Sequence, residues 1–233
     1  MRVPSLTLAA AGAALLAPAA LPVTAAAVPP RERSAAHGEG AVAATDLLAR
    51  LGECHQISRG RYRTDADRSA KVPVCGTRDA VFWKADMDID CDGQSTARCN
   101  RRTDPSFAAM TAYQQSDGRH LKADSLPYIV LPPPSRIWNP RKDGVKGGSV
   151  AAVLYHGRVQ YAVVGDTGPR DVIGEASYAT ARGLGIPSDP RDGGVPSGVT
   201  YVVFKHSHLD PIEDHAAAVS KGARLARLFV ANR

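Results

Sequence analysis

Residues 149–168 read SVAAVLYHGRVQYAVVGDTG, and this stretch decides the fold. Two mainly apolar runs, 149–155 and 159–164, stand on either side of His156-Gly157-Arg158, a pattern typical of two strands joined by a tight turn. The second run leads directly into Asp166, an acid bounded by glycines. Because short strand patterns recur along the chain and helix patterns are few, the sequence predicts a single, mainly β domain with peripheral helices. A six-stranded double-psi-type β-barrel is the architecture we expect.

Patterns of apolar residues predict further strands, and capping patterns predict helices. The predicted strands lie at 80–85, 87–90, 126–131 and 198–204, and the predicted helices at 46–51, 104–115, 175–182 and 210–230. In the second helix Asp104 is placed as the N-cap and Pro105 at the first helical position. In the last, Asp210 and Glu213 have the spacing of a capping box.

The N-terminal residues have the composition of a targeting segment. Arg2 is followed by no further charge until Arg31, and the Ala- and Leu-rich run between them ends near Ala25-Ala26-Ala27. This pattern predicts a secretory signal peptide at 1–27 and therefore an extracellular protein. Residues 28–45, rich in Ala, Pro and Gly, are predicted to be a flexible leader. The catalytic domain is predicted at 46–233.

The predicted export of the chain determines the expected state of its four cysteines. Cys54, Cys75, Cys91 and Cys99 are an even number, so disulfides are favoured over a zinc site in an oxidising compartment. The sequence permits three connectivities, of which we favour the nearest-neighbour pairs. No C-x-x-C occurs, which also disfavours a metal site.

The chain is basic, with a net charge of +6 and a pI near 9.3. Its basic residues are scattered and do not alternate with aromatic residues, so we expect a solvated surface and no nucleic-acid partner. No segment after the N-terminus is apolar enough to anchor the protein, and we expect no membrane partner. A monomer without a cofactor is the expected state.

Asp166 and Glu175 are the candidate catalytic residues. Asp166 follows a strand between two glycines, and Glu175 stands beside Gly174 where a helix is predicted to begin. Two carboxylates held at the ends of rigid elements are what glycoside hydrolysis needs. A turn aspartate and a helix-capping glutamate are the structural alternative, since acids are common at both positions.

A second acidic stretch, 86–92, reads DMDIDCD. Alternate residues of a strand share a face, so the four aspartates are expected to project together and to attract a cation. The candidate substrate-binding residues are Asp86, Asp88, Asp90, Asp92, Thr167 and Trp83. The spacing from Asp88 also matches the start of a calcium loop, but Cys99 stands where the bidentate glutamate is required. A solvated acidic loop and a site for a cationic substrate are the other interpretations.

Two further motifs are candidates for other catalytic chemistry. Gly165-Asp166-Thr167-Gly168 is similar to the D-T-G of aspartic proteases, but a second copy, needed for the catalytic pair, is absent from the sequence. His206 and His208 lack the H-E-x-x-H spacing of zinc hydrolases, so surface or hydrogen-bonded histidines are the better interpretation. No metal site is therefore predicted.

Four blocks of the sequence resemble the secreted microbial chitosanases of glycoside hydrolase family 75. They are 88–94 (DIDCDGQ), 165–168 (GDTG), 173–177 (IGEAS) and 198–201 (GVTY), and the resemblance extends from about Cys54 to the C-terminus. It implies that Asp166 and Glu175 are the catalytic pair of an inverting endo-hydrolase of the β-1,4 bonds of chitosan, without a cofactor.

The acid and base roles of the pair stay open at the level of sequence. Ile173 and Ala176 beside Glu175 favour a protonated general acid, whereas a helix N-terminus there would favour the ionised form. We expect Glu175 to be the acid and Asp166 the base. The alternative functions are a non-catalytic module that binds wall polysaccharide and a hydrolase of another wall polysaccharide.

Overall fold

A computed structural model of the chain describes Glu39 and residues 42–232. The predicted signal peptide at 1–27 lies outside these residues, as does most of the predicted leader at 28–45. Glu39 is hydrogen-bonded to the domain, because its carboxylate accepts from Gln160 Nε2 at 2.6 Å and from the Tyr161 N–H at 3.1 Å.

Seven strands, three α-helices and one short 3-10 helix (Pro140–Asp143) are found in the described part of the chain. In chain order the strands are β1 (Cys75–Gly76), β2 (Ala80–Asp90), β3 (Tyr128–Leu131), β4 (Val150–Tyr155), β5 (Arg158–Thr167), β6 (Glu175–Ser177) and β7 (Val195–Phe204). The helices are α1 (Ala44–Leu51), α2 (Tyr178–Leu184) and α3 (His215–Ala231).

Six of the strands close into a barrel, which confirms the predicted mainly β, single-domain fold. The neighbours run β2-β6-β3-β5-β4-β7, and β7 returns to pair with β2 from Ala80↔Phe204 to Ala85↔Val199. The predicted hairpin is present as the antiparallel pair β4–β5. Strand β1 is the extra strand and pairs only with β2. Closure leaves the six strands without a free edge.

Both faces of the barrel wall are buried, which explains why several strands are apolar at every position. Trp83, Val153 and Tyr201 belong to one buried cluster that draws on all six barrel strands. The alternate positions, such as Tyr161, belong to a second cluster together with Phe229 of α3 and other residues of α1 and α3. Helices α1 and α3 therefore cover one face of the barrel wall, and the side chains that they cover are not available to a site.

The prediction of a helix at 104–115 is wrong, because the segment forms turns and loops. Asp104 does accept a hydrogen bond from the Ser106 N–H at 2.8 Å. Further along, however, the backbone N–H groups of Ala108 and Ala112 donate to side chains of Asp92 and Asp166 instead of to carbonyls one turn earlier. Two carboxylates outside the segment, one buried and one half-buried, therefore compete with helix formation for its donors.

Two other helices begin later than predicted. Glu175 lies in β6, and α2 begins only at Tyr178 with Ser177 as its N-cap. Helix α3 begins at His215, where Asp214 accepts from the Ala217 N–H at 2.8 Å. The predicted capping box at Asp210 is wrong, since the Glu213 carboxylate accepts from the Ser116 N–H. Glu175 thus lies in a strand, two residues before the N-cap of α2.

Both predicted disulfides, Cys54–Cys75 and Cys91–Cys99, are present. The first ties the segment after α1 to β1, and the second closes the loop that follows β2. In the described part of the chain no helix combines the length and the apolar character needed to cross a membrane.

Candidate active site

The parallel pairing of β2 with β6 places two of the predicted acids side by side. In this register Asp88 pairs with Glu175 and Asp90 with Ser177. Neighbouring strands lie about 4.8 Å apart, so paired residues are close enough for their side chains to interact. The family blocks around Asp88 and Glu175, 87 residues apart in sequence, therefore meet in one place.

A bulge at the end of β5 sets the position of Asp166. Val164 pairs with Ile129 of β3, but the next pair joins Asp166 with Val130, so Gly165 is the extra residue. A Cβ atom on Gly165 would lie 2.6 Å from the Tyr128 Cβ, which explains why only glycine fits there. The aspartate is thereby held at the strand end.

Asp166 is 7% exposed and is held by two backbone donors. Its Oδ1 accepts from the Ala112 N–H and from the Thr167 N–H, each at 2.7 Å. Burial raises the pKa of Asp166, while these two hydrogen bonds oppose the rise because they stabilise the ionised form. Both go to Oδ1, so the described backbone leaves Oδ2 for another partner.

Glu175 is half-buried, and burial raises its pKa to about 8. The charges of Asp88, Asp92 and Asp166 act in the same direction. Gly168 makes room for the side chain, since a Cβ atom on it would lie 3.2 Å from Glu175 Oε2. The raised pKa favours the protonated form of the Glu175 carboxyl, the form that can donate a proton.

Asp90, Asp92 and Asp166 form one trio, the inner trio, whose carboxylate oxygens lie within 4.8 Å of one another. Asp90 accepts from the Asp92 N–H at 2.6 Å, and Asp92 accepts from the Ala108 N–H at 2.7 Å. Burial raises the pKa of Asp92 to about 6 and that of Asp90 well above its usual range. Every member of the inner trio thus has a backbone N–H donor.

Asp65, Asp86 and Asp88 form a second trio, the outer trio, with oxygens that also lie within 4.8 Å of one another. Asp86 is 4% exposed, and its Oδ1 has no hydrogen-bond partner among the described residues. Burial, followed by the charge of Asp88, raises the Asp86 pKa to about 7. Asp88 is exposed to solvent, and Asp65 lies in the loop before β1.

The acidic strand is thus divided between two trios, and not all of the predicted residues meet. The aspartates of the calcium-loop pattern are separated, because Asp88 joins one trio and Asp90 and Asp92 join the other. Thr167 is exposed beside Asp166. Trp83 is 1% exposed and stacks on Tyr201 at 5.2 Å inside the barrel, so the prediction that it binds substrate is corrected.

Sequence reasoning missed Asp65 and the backbone donors of Ala108 and Ala112. Asp65 gave no signal, because only long-range pairing of its loop brings it to β2. The donors were hidden by the helix pattern at 104–115. Asp92 follows β2, and Asp166 lies near the end of β5. Carboxylates withdrawn from solvent need hydrogen-bond donors, but the sequence does not indicate which segment supplies them.

The acidic site has little compensating positive charge among the described residues: Arg68 Nε lies 3.7 Å from Asp65 Oδ2, and the charge of His120 opposes the rise in the Asp166 pKa. None of the six acids, Asp86, Asp88, Asp90, Asp92, Asp166 and Glu175, is in an ion pair within the described residues. A separate cavity of about 750 Å³ is lined by Arg141, Lys146, His206 and His208. Its basic lining makes it unsuitable for a cationic ligand, so we place the candidate active site at the acids.

The only groups of three or more His, Cys, Asp or Glu side chains close enough to share a metal, within 42–232 and Glu39, are the two aspartate trios. The sequence pattern of His206 and His208 therefore does not form a metal centre with nearby acids. The Nδ1 of His208 lies 2.9 Å from the Gly147 carbonyl oxygen.

The chain matches the family described as fungal chitosanase of glycosyl hydrolase group 75 over residues 87–226. That range contains five of the six acids and the whole of β5 and β6. The match therefore covers the candidate site as well as most of the barrel.

Individual relatives give the same result. An endo-chitosanase of Aspergillus fumigatus is 30% identical over 176 residues, which are 69% of this chain and 74% of that protein. Endo-chitosanase B of Aspergillus oryzae is 34% identical over 158 residues, 61% of this chain and 65% of that one. Endo-chitosanase C of the same organism is 33% identical over 130 residues, which are 54% of this chain and 31% of that protein. The chain belongs to glycoside hydrolase family 75.

Proposed function

We propose that this chain is a secreted endo-acting hydrolase of the β-1,4 glucosaminidic bonds of chitosan, with inversion at the anomeric carbon. One observation carries the proposal: six carboxylates, none of them in an ion pair with another described residue, converge around β2, β5 and β6. The family and the names of the relatives support the substrate. We assign the activity to the domain predicted at 46–233.

The local charge suits chitosan even though the protein is basic overall. Chitosan is a polymer of glucosamine units whose amino groups are protonated in mildly acidic solution. A cleft lined by one sign of charge concentrates a ligand of the opposite sign, whatever the net charge of the protein. The acids of the site that are ionised therefore attract the polymer, while the +6 net charge concerns solubility.

Glu175 is proposed as the general acid. Its raised pKa of about 8 keeps the carboxyl protonated at the pH where chitosan is soluble. Because Glu175 lies in β6 and not at a helix N-terminus, the stabilisation of its ionised form expected from a helix dipole is absent. The proton passes to the glycosidic oxygen as the bond from that oxygen to the anomeric carbon breaks.

Asp166 is proposed as the general base. With Oδ1 fixed by two N–H donors, Oδ2 is the oxygen we assign to the attacking water. The water oxygen bonds to the anomeric carbon on the face opposite the leaving group, and its proton passes to Asp166. Exchange of protons with solvent then restores a protonated Glu175 and an ionised Asp166.

Secretion and a monomeric state are part of the same proposal. The targeting pattern at 1–27 and the two disulfides support export to an oxidising environment. A soluble polymer with many cleavage points needs no second subunit to be cut internally.

Hydrolysis of soluble chitosan by three purified variants tests the proposal. Asp166→Asn and Glu175→Gln each keep the shape of the side chain and remove its acid–base function. Glu53→Gln, an isosteric change at an exposed acid outside the site, is the matched control. We expect the control to retain wild-type rates and the other two to lose activity. Wild-type rates in both active-site variants would refute the assignment, and turnover of chitin, cellulose or peptidoglycan in place of chitosan would refute the substrate.

A further inference from the structure

The outer trio has a feature that the proposed acid–base chemistry does not use. Asp86 is nine-tenths buried, yet its Oδ1 accepts no hydrogen bond from any described residue. The same side chain contributes an oxygen that lies within 4.8 Å of oxygens of Asp65 and Asp88. A buried carboxylate without a donor is costly, so this arrangement is suited to receive a charged donor from outside the chain.

The position of Asp65 is fixed by pairing far from it in sequence. Arg63 forms a parallel bridge with Val172, in which the Arg63 N–H donates to the Asp171 carbonyl at 2.9 Å. The Ile173 N–H donates back to the Arg63 carbonyl at 3.0 Å. The loop that carries Asp65 is thereby tied to the segment that leads into Glu175. Asp65 thus belongs to the frame of the site.

Gly174 maintains the space around the buried oxygen. A Cβ atom on this residue would lie 1.9 Å from Asp86 Oδ1, and its φ of 127° is one that other residues rarely adopt. Its carbonyl accepts from the Asp88 N–H at 2.9 Å, so the same residue also holds β2 beside β6. The glycine of the 173–177 block therefore serves the outer trio as well as Glu175.

The spacing of the three oxygens fits a primary ammonium group. Such a group has three N–H donors in tetrahedral directions, and with N···O distances near 2.8 Å its three acceptors lie about 4.6 Å apart. The oxygens of the outer trio satisfy this limit. We propose that Asp65, Asp86 and Asp88 bind the 2-ammonium group of one glucosamine unit.

This inference rests on the proposed function and adds a reason why the enzyme would prefer deacetylated units of the polymer. Asp88 pairs with Glu175 across β2 and β6, so a glucosamine held there adjoins the bond that Glu175 protonates. In that sugar the amino group is on the carbon next to the anomeric carbon. An N-acetylated unit offers one neutral N–H where three charged donors are required, and it leaves the Asp86 oxygen unpaired. The trio therefore selects deacetylated units.

Asp65→Asn is the sharpest variant, because Asp65 is outside the acid–base pair and partly exposed. Asp67→Asn is its matched control, because Asp67 lies outside the trio and, like Asp65, contacts the Arg68 Nε. With fully deacetylated oligomers we expect Asp65→Asn to lower kcat/KM about 10-fold, the loss of one charge-assisted hydrogen bond. With partly acetylated chitosan, wild type should leave glucosamine on one side of every cleaved bond. Asp65→Asn should lose that preference.

Equal kcat/KM and an equal product pattern for Asp65→Asn and Asp67→Asn would overturn the proposal. Calorimetry with a glucosamine hexamer on the Glu175→Gln variant decides the binding separately. Weaker binding after Asp65→Asn in that background supports the ammonium site even if wild type cuts no chitosan, a result that would refute only the proposed function. Titration with calcium chloride alone is the last comparison. Calcium binding that requires Asp65, with unchanged preference for deacetylated units, would identify a metal site and overturn the proposal.

Discussion

The inner and outer trios have the same composition, three aspartates with oxygens within 4.8 Å, but they differ in what satisfies them. In the inner trio Asp90, Asp92 and Asp166 accept backbone N–H groups from the loop that follows β2, from the last residue of β5 and from the 104–115 segment. In the outer trio Asp86 Oδ1 has no partner among the described residues, whereas Asp65 Oδ2 accepts from Thr64 Oγ1 at 3.3 Å and lies 3.7 Å from Arg68 Nε. The protein itself therefore satisfies the inner trio and leaves the buried Asp86 oxygen of the outer trio to be satisfied by a proton or a cation.

This difference indicates how the site divides its work. Fixed backbone donors hold a carboxylate in one orientation without neutralising it, as a base that positions water requires. The free energy of a buried acidic group without donors depends strongly on whether a ligand supplies them. A selective binding site requires this dependence. We therefore assign the chemistry to the inner trio with Glu175 and the recognition to the outer trio.

The largest expected effect is on catalysis, and it separates the two regions. Removal of a general acid or base slows an enzyme by about 10²- to 10⁴-fold. We expect Glu175→Gln and Asp166→Asn to lose kcat by this amount on chitosan, whereas Asp65→Asn keeps kcat within about 10-fold of wild type. Initial rates of reducing-end release measure all three. A loss of kcat in Asp65→Asn as large as in Asp166→Asn would remove the distinction.

Gly174→Ala should be the most destabilising of the small substitutions. The added Cβ would overlap Asp86 Oδ1, and a φ of 127° strains any residue with a side chain. We expect the free energy of unfolding to fall by about 3 kcal/mol in urea titrations. Gly157→Ala is the control, since its φ is also positive at 80° but its Cβ would have no atom within 4 Å. It should lose about 1 kcal/mol. Equal losses would mean that Gly174 does not make room for the outer trio.

Substitution of an aspartate should lower the free energy of unfolding where backbone N–H groups lose their acceptor, as in the inner trio. It should raise the free energy of unfolding where a buried charge is removed, as in the outer trio. Asp166→Ala deprives two N–H groups of their acceptor and should lower the free energy of unfolding by about 1–3 kcal/mol relative to Asp166→Asn, which keeps an oxygen. Asp86→Asn removes a buried charge whose Oδ1 has no donor among the described residues, and it should raise the free energy of unfolding at pH 8. Urea titrations of the three variants measure both signs. A less stable Asp86→Asn protein would show that Asp86 has a partner in the native state.

The pH dependence of stability should follow from the raised pKa values. Asp86, Asp92 and Glu175 have folded-state pKa values of about 7, 6 and 8, while unfolded carboxyls titrate near 4. The folded protein therefore holds more protons, so stability falls as pH rises from 5 to 9 in low salt. Thermal unfolding across that range measures it, and Asp86→Asn should flatten the curve below pH 7. A Tm that rises over this range would contradict the assignments.

The sequence predicted those parts of the molecule that depend on local pattern. The hairpin of β4 and β5 followed from two apolar runs around His156-Gly157, and closure into a barrel was confirmed. The disulfides followed from cysteine spacing and the expected compartment. Asp166 and Glu175 were singled out because glycines flank both, and those glycines prove to clear space for a bulge and for carboxylates.

The sequence could not predict features that depend on distant partners. The helix expected at 104–115 does not form because Asp92 and Asp166, far away in sequence, take its N–H groups. Asp65 came to the site through a bridge between Arg63 and Val172 that no local pattern indicates. Trp83 was placed with the substrate on its residue type alone, and packing against Tyr201 places it in the core.

The central claim is that Glu175 and Asp166 cut chitosan by direct displacement with water. Proton NMR of the first products from soluble, fully deacetylated chitosan tests it most directly, because inversion of a β-linkage releases the α-anomer before mutarotation mixes the two. We predict α-anomers in the first minutes with wild type and no new anomeric signal with Glu175→Gln. Initial β-anomers, or identical spectra from the two proteins, would contradict the account.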